Sequence, residues 1–476
     1  MTQSNSNKIF KGGLWITASF VLVRASQLIS QIILARLLSP HDFGIWAMVL
    51  LVTTLSSQFK DMAVAGVLVY RGLDDRKVVN AVYSLGINLS IGMCVLQALS
   101  GFALSKFFDV STLLPLTACV SLVFLVGAGA GSHGAVMQRQ MKFKELAICE
   151  AIAACARLGA GLICAGLGGG VWSFAVAEVA AAFVDSILKR ILSGYRFEYK
   201  FISKTEANQE VYKYIRGLIG TNLAVYVNTN TDNLIIGKLL GANSLGYYNL
   251  AYQLAMLPVF ALSQINRINF SVLTQQDEES RRRYVHQALE LYALVSAPTF
   301  AVAFVAAPWL IPLLLGAKWI AAVRIFQIVL IFAYARGFMS ILGTVLNAIN
   351  KPGVNAAINW ALVPLSVPSY WFGAQLGGTV GVAAAVACVM GVGATLWVWV
   401  ATCYVAQWRM TTLLKPVLLP TLVVLFVIIL ITFTPLSTSP IFLQVGLLIV
   451  VYSLAMFNRI SKANSQKLKK LLKINN

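Results

Sequence analysis

At 476 residues, 58% of them hydrophobic and only 11% charged, with a mean hydropathy of +0.77, the chain carries more apolar surface than a soluble fold of its size can hide. A β-barrel is also excluded, because it would alternate apolar and polar residues in segments of about ten. The net charge of +20 does not point to nucleic acid, since the basic residues are spread over alternate joints of the chain rather than gathered in one patch.

The opening, MTQSNSNKIFKGG, is polar and has no small-residue cleavage site, so no signal peptide is expected. A helix needs roughly 20 apolar residues to cross the hydrocarbon core, and such segments recur along the chain. About fourteen spans are predicted. Six lie near 12–35, 43–69, 79–104, 112–136, 146–167 and 170–192. Six more lie near 213–237, 245–270, 286–309, 321–346, 354–375 and 379–405, and the last two near 413–434 and 439–458. Alternate joints carry Lys8 and Lys11, Arg71 to Lys77, Arg139 to Lys144, Lys189 to Arg216, Arg267 to Arg283, Lys351, Arg409 with Lys415, and the tail from Arg459 to Lys473. The other joints hold only Arg36, Lys106, Lys238 and Lys318. This bias places both termini in the cytoplasm, and the terminal KLKKLLK reads as an interfacial stretch on anionic lipid. The seven cysteines fall in predicted spans without metal-ligand spacing, and the three histidines are scattered. No metal site or cofactor is expected.

The sequence repeats itself. IILARLLSPHDFGIWAM from Ile32 aligns without a gap on LIIGKLLGANSLGYYNL from Leu234, at an offset of 202 that takes Gly44 to Gly246 and Arg36 to Lys238. MQRQMKFK and LNAINKPG hold equivalent places after the fourth and tenth spans. The expected fold is therefore an all-α polytopic membrane protein with two six-helix lobes around a central cavity. The lobes are 1–205 and 206–410, and 411–476 adds two helices and a basic cytoplasmic tail. Rocking one lobe against the other would alternate access to the cavity.

Charged groups inside a bilayer face the protein interior or water and mark function. In the first span, Arg24 lies mid-membrane on a polar stripe with Gln27 and Gln31. In the seventh, Asn222, Asn228 and Asp232 share an arc about 160° wide at 100° per residue. Arg157, Arg267 and Arg336 are further cations in spans. With Arg24, Gln27, Gln31, Asn222 and Asn228 they form the expected substrate-binding set, because arginine matches phosphate through its fork of donors. Asp232, Glu150, Glu178 and Asp185 are the candidate ion-coupling acids. Asp185 and Lys189 form an i, i+4 pair, whereas Glu150 and Arg157 lie two turns apart on one face, too far for a direct pair.

LARLLSPHDFGIWAM, MQRQMKFKELA and NLIIGKLLGANSLGYYNLAYQLAMLPV resemble the polysaccharide-exporter branch of the multidrug/oligosaccharidyl-lipid/polysaccharide flippase superfamily. Within it the likeness is to Wzx-type and colanic-acid-exporter-like proteins, through the first eight spans. Relatives often carry an acid where this chain has His41. The resemblance implies a flippase of the bacterial inner membrane, with an undecaprenyl-diphosphate-linked oligosaccharide as substrate. It also implies a proton or sodium ion as the drive, and association with polysaccharide polymerase machinery. A multidrug antiporter of the same fold would want a wholly acidic cavity. A membrane enzyme of polysaccharide assembly would want a sizeable extramembrane loop or an acid cluster, and no such loop, DxD motif or nucleophile–base set appears. A channel fits poorly with the unequal polar stripes.

Overall fold

The computed structural model describes the backbone of residues 22–71, 76–199 and 206–474 and the side chains of all of these but 59–71, 77–78, 206–222, 261, 263–264, 267–268, 437–438 and 458–474. Among the described residues there is helix and no strand. The chain is an all-α multi-pass membrane protein, as its composition requires.

Two compact units result, Met1–Asn249 and Leu250–Asn476. The first holds α1 (22–37), α2 (Pro40–Arg71), α3 (Arg76–Phe108), α4 (Leu113–Val126), α5 (Ala130–Arg139), α6 (Phe143–Gly166) and α7 (Trp172–Ser193). It also takes most of α8 (Glu206–Ala255). The second continues with α9 (Leu257–Thr274), α10 (Glu278–Leu315), α11 (Ala322–Ala348), α12 (Pro352–Val386), α13 (Ala394–Val405), α14 (Met410–Phe433) and α15 (Ile441–Ile474). The division falls later than the repeat boundary at 205. The start of the second repeat is tied to the first unit by the Tyr226 hydroxyl, which donates to the Leu51 carbonyl, and by Lys238, paired with Asp109 at 3.0 Å.

Among the described residues six helices are long and apolar enough by themselves to cross a bilayer, and α4 with α5, bent by 40°, together have the length and composition of one more. Among the described residues, α7 and α8 are not uniformly apolar rods. α7 carries Glu178, Asp185, Lys189 and Arg190, and α8 carries the run Asn228 to Asn233. The count of fourteen remains an expectation.

Two long helices reverse direction. Pro352–Val405 is 54 residues, about 80 Å at 1.5 Å per residue, far beyond a hydrocarbon core of about 30 Å. It breaks at Gly377 and Gly378, and a Cβ on Gly373 would sit 2.6 Å from the Gly381 carbonyl oxygen. Residues eight apart touch only where the chain folds back. α8 breaks at Gly241 (φ 81, ψ 176), a conformation open to glycine and strained for other residues. Across that turn the Tyr248 hydroxyl reaches Asp232 at 2.6 Å.

The two halves of the repeat meet at their turns. α2 starts at Pro40, behind a cap in which the Ser39 amide and hydroxyl donate to Asp42 at 2.9 and 2.6 Å. A Cβ on Gly44 would overlap the Ala242 carbonyl, and one on Gly246 would overlap that of Pro40. Pro40 and Ala242 are themselves 202 apart, as are Gly44 and Gly246, so each half makes the same contact with the other.

In the second unit, Ala297, Ala301 and Val305 of α10 pack against Val424, Val427 and Ile431 of α14 and Leu448, Tyr452 and Met456 of α15. The two helices beyond the repeat are thus seated on α10, and the Tyr452 hydroxyl donates to the Leu294 carbonyl at 2.9 Å.

The paired glycine contact makes a specific demand. Gly44→Val and Gly246→Val are each expected to cost about 1–3 kcal/mol by overpacking. The thermal midpoint of the purified protein reads this directly, and a midpoint unchanged in either variant contradicts the close approach.

Candidate functional site

Polar groups of α1, α6 and α7 converge on a cavity of about 290 Å³. Three helices line it with the same spacing. α1 supplies Val23, Ser26, Gln27 and Ser30; α6 supplies Glu150, Ala153, Ala154 and Arg157; α7 supplies Glu178, Ala181, Ala182 and Asp185, with Lys189 a turn further on. Positions i, i+3, i+4 and i+7 lie on one helix face. The four alanines keep the middle of the α6 and α7 wall thin, so the charged residues at the ends of those two stripes border the space they leave.

The charges are arranged in pairs. Arg157 Nη2 lies 2.9 Å from Glu178 Oε2, joining α6 to α7. Lys189 Nζ lies 2.7 Å from Asp185 Oδ2 along α7. Arg24, next to the cavity on α1, donates to Gln27 Oε1 at 3.0 Å. Glu150 is the third carboxylate in the wall. Three acids against two bases give the lining a formal charge of −1. Among the described residues, Arg157 is the one arginine of the expected substrate-binding set in this lining.

Gln27, Arg157, Glu150, Glu178 and Asp185 are therefore brought together, with Arg24 beside them. Gln31 is half-buried on the same helix. Asp232 is elsewhere: only 2% exposed, it accepts from the Tyr248 hydroxyl and, at 2.8 Å, from the Asn233 amide. Asn228 is also 2% exposed. Thr229, Asn230 and Thr231 bond back to the carbonyls of Val225, Tyr226 and Val227 at 2.7–2.9 Å. This part of the polar run is satisfied on its own helix, as hydroxyl and amide side chains four residues past a carbonyl can be. In the second unit Arg336 lies 3.3 Å from the Met339 sulfur, apart from the other candidates. The side chains of Asn222 and Arg267 lie outside the described residues.

Ser26, Ser30 and Lys189 line the cavity without having been singled out for it. The signal was present, because both serines lie within a turn of Gln27. Tyr248 as the partner of Asp232 carried no signal, since the two are sixteen residues apart and only the turn at Gly241 joins them.

The second unit has an apolar cavity of about 350 Å³, walled by Phe300, Tyr334, Phe338, Trp399 and Val424 among others. Its polar feature is the Tyr334–Thr421 hydroxyl pair at 2.7 Å. Among the described residues no group of three or more His, Cys, Asp or Glu could hold a metal ion.

This multi-pass helical bundle shares its fold with solved structures of a lipid flippase and of multidrug transporters. The solved structure "Lipid II flippase MurJ, inward closed conformation" aligns with a TM-score of 0.75 at 14% identity, over 94% of this chain and 100% of that one. The chain belongs to the polysaccharide biosynthesis protein family, whose model matches residues 33–324. It is 25% identical over 385 residues to the lipopolysaccharide biosynthesis protein WzxC of Escherichia coli (strain K12), covering 79% of this chain and 77% of that protein. It is 22% identical over 361 residues to the teichuronic acid biosynthesis protein TuaB of Bacillus subtilis (strain 168), covering 75% and 74%.

Breaking the Arg157–Glu178 pair leaves one charge without its partner inside a helical wall. Glu178→Gln and Arg157→Ala are each expected to lower stability by about 1–3 kcal/mol. The exchange of the two, Arg157→Glu with Glu178→Arg, is expected to recover part of it. Melting of the purified variants tests this, and additive losses in the exchanged protein would show that the two residues are not coupled.

Proposed function

We propose that this chain is a flippase for a lipid-linked oligosaccharide, serving the synthesis of an exopolysaccharide, capsule or O-antigen. The observation that carries the reading is the family match over residues 33–324, on a fold shared with a lipid II flippase. The physical problem such a protein solves is specific. The lipid chain of the substrate is at home in the bilayer, and its charged, sugar-bearing head is not. A polar cavity between membrane helices gives the head a path, while an apolar cavity such as that of the second unit suits a length of chain.

In this reading the lobes are 1–205 and 206–410, they rock about a central cavity, and 411–476 is an appended pair of helices. Both termini face the cytoplasm of a bacterial inner membrane, as the basic joints favour. The substrate is an undecaprenyl-diphosphate-linked oligosaccharide. Arg24 grips the diphosphate, with Gln27 holding the guanidinium in place. Glu150, Glu178 and Asp185 form the coupling site. The acid excess of their cavity supports a proton or sodium ion there, and the paired cations Arg157 and Lys189 keep that excess to one charge. Asp232 is assigned to holding the α8 turn together rather than to coupling, because both its oxygens accept hydrogen bonds near that turn. The protein is a transporter rather than an enzyme, and it hands its cargo to polymerase machinery.

Glycan export measured beside membrane abundance tests the role of Arg24. Arg24→Ala is expected to abolish export at normal abundance. Arg24→Lys should retain part of it, keeping the charge and losing the bidentate fork, and Arg24→Glu should be inactive. Full export by Arg24→Glu would remove Arg24 from the substrate path.

A further inference from the structure

At the end of the second unit that carries basic joints, a cavity of about 270 Å³ lies between Glu278 and Arg281 at the start of α10, Lys351 before α12, and Trp408 after α13. Trp408 is only 6% exposed, and its indole Nε1 has no hydrogen-bond partner. A buried donor left in this state carries a cost that a ligand acceptor would relieve.

The repeat shows how this space arose. Lys142 and Lys351 hold equivalent places. Each follows a left-handed residue, Met141 or Asn350, both at φ 58. Each donates its amide five residues back, to Met137 or Leu346, at 2.9 Å. The helices they face, α7 and α13, end at left-handed Gly194 (φ 66) and Gln407 (φ 53). In the first unit the Lys142 ammonium caps the helix end, donating to the carbonyls of Leu192 and Ser193 at 3.4 and 3.1 Å. In the second, the corresponding residues Val405 and Ala406 share a cavity wall with Lys351. Among the described residues the Lys351 ammonium has no ion pair or hydrogen bond there. The same lysine closes one unit and leaves the other open.

The lining is zwitterionic in its demands. Lys351, Arg281 and the indole N–H call for an anionic acceptor. Arg281 also holds the wall in place, donating to the carbonyls of Leu273 and Gln276 at 3.0 and 2.9 Å. The Glu278 carboxylate and the carbonyl end of α13 call for a cationic donor. A buried tryptophan at a basic edge also suits the depth of lipid headgroups.

We propose that this cavity binds the phosphoethanolamine headgroup of an aminophospholipid, the phosphate accepting from Lys351 and Trp408 and the ammonium donating to Glu278. The assignment of this edge to the cytoplasmic leaflet rests on the topology given above; the binding chemistry does not. Phosphatidylcholine has no ammonium N–H to donate. Phosphatidylglycerol has the phosphate and no cation.

The test is lipid retention by the full-length delipidated protein, measured by native mass spectrometry with phosphatidylethanolamine, phosphatidylglycerol and phosphatidylcholine offered in turn. The wild type is expected to prefer phosphatidylethanolamine over phosphatidylcholine about tenfold. Lys351→Gln and Trp408→Phe should each lower retention of phosphatidylethanolamine and phosphatidylglycerol alike. Glu278→Gln should bring those two to parity. Lys351 and Glu278 are exposed, so these variants should keep the wild-type melting temperature. Free phosphoethanolamine should displace the lipid at concentrations where inorganic phosphate does not, which separates a headgroup site from a simple phosphate site. Equal retention of all three lipids by the wild type, displacement by phosphate as readily as by phosphoethanolamine, or a preference untouched by Glu278→Gln, overturns the proposal. Export assayed in parallel keeps the two readings apart: lipid preference without export would count against the flippase and leave this site standing.

Discussion

Hydrocarbon offers no hydrogen-bond partner, so every charge in a membrane helix must be answered by the protein or by enclosed water. The first unit meets this constraint with its Arg157–Glu178 and Lys189–Asp185 pairs and with alanines that hold three helix stripes around a small polar space. The seventh span meets it differently, turning its hydroxyls and an amide back on its own carbonyls and handing Asp232 to Tyr248. One solution leaves a cavity with charge in its wall. The other satisfies most of its polar side chains along its own helix.

Duplication supplies the second theme. The turns at Pro40 and Gly241 contact each other through glycines that the repeat places in register. In this contact, made twice by equivalent residues, each half presents the same surface to the other. Where the copies diverge, new chemistry opens: Lys142 closes a helix end, and Lys351 borders a cavity.

Much of this was legible in the sequence. Apolar runs of bilayer length gave an all-helical membrane protein, and acids and arginines in those runs pointed to Glu150, Arg157, Glu178 and Asp185 before their helices were packed. Which charges pair was not legible. Glu150 and Arg157 share a face of α6, yet Arg157 forms an ion pair with Glu178 on α7, and helix register across a bundle is set by packing that a linear pattern does not contain. The partner of Asp232 was not legible for a related reason: Tyr248 stands beyond a reversal of the chain.

The proposed activity is transport of a charged lipid head through a polar path between helices. Its most direct measurement is reconstitution of the purified chain into sealed liposomes with a fluorescent polyprenyl-diphosphate oligosaccharide, followed by a membrane-impermeant quencher. Without the protein only the outer-leaflet half of the label should be quenched. With it, nearly all the label should become accessible, at a rate that responds to an imposed proton or sodium gradient. Quenching that stays near half with correctly inserted protein would contradict the account.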